Sequence, residues 1–198
     1  MIGRYIGIDQ SFSGFAVVAY APGEAPAVHR KAFPPAKFGK GVGRLIAVQE
    51  WLDELFGRWG GIHPPASVMH IAMEGYARGR AFRREEVGEI SAAVRLRLLS
   101  YYTSQAGYPT IVSPSELKQY ATGKGNADKK KVMKFCKEKW GFVTKNDNEA
   151  DAYVLARMAC DLHRGRSDLP EEFKVIQGLT KHTDLPAHWK SSIPVPAL

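Results

Sequence analysis

Residues 5–18 constrain this chain more than any other stretch. Tyr5-Ile6-Gly7-Ile8-Asp9-Gln10-Ser11-Phe12-Ser13-Gly14-Phe15-Ala16-Val17-Val18 reads as two short apolar strands joined by a tight polar turn. The first strand runs straight into a carboxylate, Asp9, where a continuing core calls for another aliphatic side chain. An acid at the end of a buried strand is costly to ionise unless something positive stands near it, such as a bound metal or a phosphate with its metal. The plainer alternative is a turn aspartate bonded to its own backbone near Gly14. Residues 67–73 repeat the anomaly, because Ser67-Val68-Met69-His70-Ile71-Ala72-Met73 ends in Glu74.

Between and beyond these strands the periodicity alternates. Residues 27–33 supply a third strand after a Pro/Gly turn, so the first three strands form an antiparallel set. Pro34, Pro35 and glycines 39, 41 and 43 mark a loop, and residues 44–56 carry the apolar stripe of an amphipathic helix. A long helix is expected over 85–105, on Val87, Ile90, Val94, Leu98 and Leu99, and a fifth strand over 108–112. Ser113-Pro114-Ser115-Glu116 is a capping box that opens a short helix. A glycine-punctuated polar loop, 121–128, leads into a lysine-heavy helix over 129–139 closed by Gly141. The last long helix opens at Asn146 and stops at Gly165. Together these elements predict one α/β layer architecture, a mixed five-stranded sheet flanked by helices. Residues 1–166 are expected to form the domain and 167–198 an irregular C-terminal extension broken by prolines 170, 186, 194 and 196, with room for a helix over 171–178.

A chain of 198 residues can bury a sizeable core without staples. Its two cysteines, Cys136 and Cys160, both fall in helical segments, so no disulfide framework is expected, and neither they nor the scattered histidines have zinc spacing. No apolar run approaches the ~20 residues that span a bilayer, and no export signal opens the chain, which places the expectation in the cytoplasm of a bacterial host cell. Lysine and arginine outnumber acids 28 to 20, for a formal charge of +8, which favours a polyanionic partner.

Asp9 and Glu74 end different strands, and if those strands are neighbours the two carboxylates stand a few ångströms apart. Asp151, between Ala150 and Ala152 on a helix small enough to press on a sheet, supplies a third acid. At ~100° per residue Asn148 lies about 60° from Asp151 and Asp147 about 40° on the other side, while Glu149 points roughly 160° away. Asn148 and Asp147 are both open as a fourth ligand, with Asn148 preferred. Glu149 has a structural explanation as the third residue after an Asn146 cap. Oxygen donors without sulfur or histidine suit Mg²⁺, with Mn²⁺ as a substitute. Such a cluster, beside basic and aromatic segments, points to two-metal hydrolysis of a phosphodiester. The arginines at 78, 80, 83 and 84 are placed to grip a strand while Tyr76 or Phe82 stacks on an unpaired base. Lys118, Lys124 and Lys129 flank the glycine loop and point to phosphate contacts. Most other lysines of the 129–139 helix read as a solvated face.

Taken as a set, Gly7-Ile8-Asp9 with Ser13-Gly14, Met73-Glu74, Leu117-Lys118-Gln119, Thr122-Gly123-Lys124-Gly125-Asn126-Ala127-Asp128-Lys129 and Glu149-Ala150-Asp151-Ala152 resemble RuvC-type Holliday junction resolvases. The order and spacing agree over residues 3–165, and the looser motifs are closest to bacteriophage members. The resemblance implies a ribonuclease H-like fold and a homodimer with two active sites. It also implies paired nicking of four-way or other branched DNA, with two Mg²⁺ ions per site. Asp9, Glu74, Asp151 and Asn148 would be the metal ligands, with Lys118 and Lys129 approaching the DNA and Lys129 acting at the scissile phosphate. Two departures stand out: Asn148 replaces the family's aspartate or histidine, and no aromatic wedge follows Glu74 in register. The helix over 85–105 is the candidate dimer seam.

Two rival readings remain. An actin-like ATPase or sugar kinase also opens on Gly-Ile-Asp and a serine turn, but needs a second phosphate loop and a longer chain. A non-catalytic nucleic-acid-binding domain explains the charge but has no use for Glu74 and Asp151.

Overall fold

The structure is a computed structural model and describes residues 3–57, 62–63, 67–75, 84–102 and 108–179, with only the backbone of Arg84. Strands β1 (Arg4–Asp9), β2 (Phe15–Tyr20), β3 (Ala27–Lys31), β4 (Val68–Glu74) and β5 (Thr110–Val112) form one mixed sheet in the order β3-β2-β1-β4-β5. The pairs β1–β2 and β2–β3 are antiparallel, whereas β1–β4 and β4–β5 are parallel. The five-stranded mixed sheet expected from the sequence is therefore present. A short helix α1 (Pro35–Phe38), started by Pro35, occupies part of the stretch read as loop, and α2 (Val42–Phe56) follows. The other helices are α3 (Arg84–Tyr101), α4 (Pro114–Thr122), α5 (Lys129–Trp140), α6 (Asp147–Arg164) and α7 (Pro170–Leu179).

Alternation along the central strands sorts side chains onto two faces. Ile6, Ile8, Phe15, Val17, Ile71 and Met73 pack with Val48, Trp51, Leu52, Leu55 and Phe56 of α2 and with Ile90, Val94 and Leu98 of α3. Tyr5, Ala16, Val18, Ala72 and Val112 face α6, which brings α4, α5 and α7 behind it. The α6 layer sits unusually close. A Cβ on Gly7 would lie 1.9 Å from the Ala152 carbonyl oxygen and 2.3 Å from the Ala156 nitrogen, so only glycine fits there.

The helix ends follow local chemistry. Ser113 and Glu116 make both bonds of the capping box, and Gly123, Gly141 and Gly165 close α4, α5 and α6 in the left-handed conformation. Asn146 caps α6 as expected, accepting from the Glu149 amide at 3.1 Å. The Glu149 carboxylate does not return the bond. Instead it accepts from the Thr144 hydroxyl at 2.6 Å and pairs with Arg30 at 3.0 Å, while Thr144 Oγ1 accepts from the Asn146 amide.

The helix that the sequence allowed over 171–178 is α7, and it is part of the core. Val175, Ile176 and Leu179 are buried, and the buried Glu172 carboxylate is held by Lys139 at 2.6 Å and by the Ser167 hydroxyl at 2.6 Å. Among the described residues no helix is long and apolar enough to cross a membrane.

Candidate active site

The parallel pairing Ile8↔Met73 places Asp9 and Glu74 at adjacent strand ends, one residue beyond the last matched pair. Both fall on the α6 face, in step with Gly7 and Ala72. Asp9 is only 5% exposed. It does not behave as a turn aspartate: the turn is closed by Ser11, whose hydroxyl accepts from the Gly14 amide at 3.0 Å. The Asp9 carboxyl instead shares a hydrogen bond with that of Glu74. Burial first, then the charge of Glu74 and that hydrogen bond, then Asp151, push Asp9 well above the ordinary carboxylate range. Burial likewise raises Glu74, against the hydrogen bond from Asp9 and the pull of Lys129 and Lys118. One proton shared between the two acids is the state this geometry favours.

Asp151 comes from the third element. Ala150, Ala152 and Ala156 let α6 descend onto Gly7, and that approach carries Asp151 in front of the strand ends. Burial and the charge of Glu74 raise it to about 7, with Lys129 and Lys118 drawing it back down. The three acids thus influence one another through a shared, largely buried region. Among the described residues, no three acidic, histidine or cysteine side chains are drawn together tightly enough to make a finished metal cage.

Lys129, at the start of α5, contacts Asp147 and faces Asp9 and Asp151; the Asp147 contact raises its ammonium and lowers the Asp147 carboxyl. Lys118 projects from α4 closely enough to act on Glu74 and Asp151. Lys124 lies in the exposed turn after α4, where its backbone bonds Thr122, and exerts no resolved effect on the acids. Asn148 donates its amide to the Gly14 carbonyl at 2.7 Å, and a Cβ at Gly14 would lie 2.1 Å from that nitrogen. The contact orients the amide, so the oxygen is the atom left for another partner. Asp147 and Glu149 are both already engaged by cations. Tyr76, Arg78, Arg80 and Phe82 lie outside the described residues, as does the Arg84 side chain.

Sequence reasoning passed over Gln10. Its side chain is buried, and Nε2 donates to the Glu74 carbonyl at 3.0 Å, while Oε1 has no partner among the described residues. It ties together the two strand ends that carry acids. A polar residue directly after the anomalous aspartate was the available signal.

Three largely buried carboxyl groups that repel one another are oxygen donors of the kind that suit a hard divalent cation. No protein-family profile and no curated protein matches the chain. Solved structures do. The Thermus thermophilus RuvC structure superposes with a TM-score of 0.59 at 19% identity, covering 79% of this chain and 91% of the other. T. thermophilus RuvC in complex with Holliday junction substrate gives a TM-score of 0.60 at 18% identity, covering 78% and 90%. Likeness at such low identity speaks to architecture, and with the mixed sheet and its flanking helices it establishes that this chain has the ribonuclease H-like fold of RuvC.

Proposed function

We propose that this protein is a structure-selective DNA endonuclease that resolves four-way junctions by paired, metal-dependent phosphodiester hydrolysis. The observation that carries the reading is the meeting of Asp9, Glu74 and Asp151 on one face of the sheet with Lys118 and Lys129 beside them. The RuvC neighbour solved with a Holliday junction substrate supports branched DNA as the partner. A merely structural role gives no reason to bury three mutually repelling acids together at the strand ends.

Asp9, Glu74, Asp151 and the Asn148 amide oxygen would hold Mg²⁺, or Mn²⁺ in its place, two ions per site. Bound there, the ions supply an activated water as nucleophile and countercharge for the leaving oxygen. The chain's own residues do the rest. Asp9 and Glu74 would both bind as carboxylates, with the proton that they share given up to solvent. Lys129, released from Asp147, offers its ammonium to the phosphate at the cut, and Lys118 holds a neighbouring phosphate. Lys124, Arg78, Arg80 and Arg84 grip the DNA backbone beyond them, with Tyr76 or Phe82 stacking on an unpaired base. The protein acts as a homodimer so that two sites cut symmetrically. On α3, the candidate seam, Leu96 is 67% exposed and Leu99 is 39% exposed.

The deciding experiment incubates purified protein with Mg²⁺ and a labelled mobile junction beside linear duplex of the same sequence. Paired, symmetric nicks in the junction and an intact duplex are expected. An uncut junction, or ATP hydrolysis in place of cleavage, overturns the proposal.

A further inference from the structure

Helix α5 carries lysines at 129, 130, 131, 134, 137 and 139. Most are answered locally: Lys129 by Asp147, Lys131 by Asp128 at 3.9 Å, Lys134 by Glu138 at 3.8 Å and Lys139 by Glu172 at 2.6 Å. Among the described residues Lys130 and Lys137 have no ion pair. These two share a face with Met133 and Lys134, and the segment leading into α6 folds back beside them. Val143, Thr144 and Lys145 thus complete an open groove of about 390 Å³. Lys145, on the opposite wall, is also without an ion pair among the described residues. A solvated face gives no reason for the unanswered cations to collect along one depression. The floor is apolar, with Met133 half-buried and Val143 69% exposed.

One end of the groove adjoins the proposed active site, because Lys130 follows Lys129 and Lys145 precedes the Asn146 cap of α6. From Lys130 to Lys137 the helix rises about 10 Å, equal to about three base-pair steps of ~3.4 Å along a duplex axis. We infer that this groove seats the phosphate backbone of the DNA segment flanking the cleavage site, with Lys130, Lys137 and Lys145 as its phosphate contacts. The inference rests on the nuclease reading and extends it to a second, non-catalytic DNA contact. The apolar floor receives the sugar faces between phosphates, and Glu138, the one acid lining the groove among the described residues, is paired with Lys134 at 3.8 Å.

The test measures junction binding over a range of salt concentrations for three proteins. These are the wild type, the triple variant Lys130→Gln, Lys137→Gln, Lys145→Gln, and a control triple, Lys31→Gln, Lys37→Gln, Lys40→Gln, with the same charge loss at the β3–α1 edge. All six side chains are wholly or partly exposed, and circular dichroism melts confirm that each protein is folded. At about 0.9 per contact, the groove variant is expected to flatten the slope of log K against log salt by about 2 to 3. It binds at least tenfold more weakly at the lowest salt while cutting at an unchanged rate when saturated. The control keeps a slope close to wild type. An unchanged slope in the groove variant, or an equal loss in the control, overturns the groove assignment while the nuclease reading stands. Wild-type protein that neither binds nor cuts branched DNA overturns both.

Discussion

The two faces of the sheet are built on opposite principles. The α2–α3 face is filled with Phe15, Phe33, Trp51, Leu52, Leu55 and Phe56, large side chains that bury much apolar area. The α6 face is thin at the strand ends. There Gly7 meets Ala152 and Ala156, and what the missing side-chain volume brings together is Asp9, Glu74 and Asp151. Both faces bury a core, but the three acids fall on the α6 face alone. The small residues of α6 are a condition for placing three acids within mutual influence, and the repulsion they create is offset by the packing behind them.

The sharpest test of that division removes a charge on one face and a core side chain on the other. Asp9→Asn should lower junction cleavage by about a thousandfold or more while binding stays within a few-fold. A parallel loss of binding would make Asp9 structural and dissolve the contrast. Leu52→Ala, on the opposite face, should cost about 3 kcal/mol in denaturant unfolding, with cleavage per folded molecule unchanged. A catalytic defect in that variant would show the faces to be coupled.

The third prediction concerns pH. Asp9, Glu74 and Asp151 are all raised in the folded state, mainly by burial, so the fold retains protons that the unfolded chain releases. Their contribution to stability is complete below the unfolded carboxylate values. It is lost as pH rises through the folded ones, about 7 for Asp151. Buried His63 and partly buried His70, lowered to about 4, act in the opposite direction but have ceased to titrate in either state well above pH 7. Asp147, lowered by Lys129, titrates only in acid. Between pH 7 and 8.5, without divalent cations, the melting temperature of the wild type should therefore fall by about 2–6 °C. Mg²⁺ should restore it and Asp9→Asn should flatten the decline. A melting curve indifferent to pH and Mg²⁺ would remove the cation from the acid face.

The smallest expected effects come from two polar residues on the acid-bearing elements or next to them, Asn148 and Gln10. Asn148→Ala should raise the Mg²⁺ concentration needed for half-maximal cleavage about tenfold. Unchanged dependence would transfer the fourth-ligand role to Asp147 or Glu149. Gln10→Ala should cost about 1 kcal/mol of stability and slow cleavage at saturating DNA without altering binding. A change in affinity alone would separate Gln10 from the acid-bearing strand ends.

The local grammar of the chain decided a great deal without tertiary context. Strand alternation, the Ser113–Glu116 capping box, the glycine stops at 123, 141 and 165, and the interruption of two apolar strands by acids are short-range signals, and each has a counterpart in the structure. The short helix α1 was missed because prolines and glycines read as loop, and the depth to which α7 enters the core was missed because that packing is set by distant partners. Periodicity separated Asn148 from Glu149 by angle but carried no information about Gly14 or Arg30, which occupy them from more than a hundred residues away. It also made the lysines of α5 look alike, since the ion pairs that distinguish Lys130 and Lys137 depend partly on α6 and α7. Sequence patterning determines which elements form and which faces are apolar, because those preferences arise within a few residues. Which polar atoms meet is decided only when the helices settle on the sheet, because burial, repulsion and pairing depend on distances the chain acquires by folding.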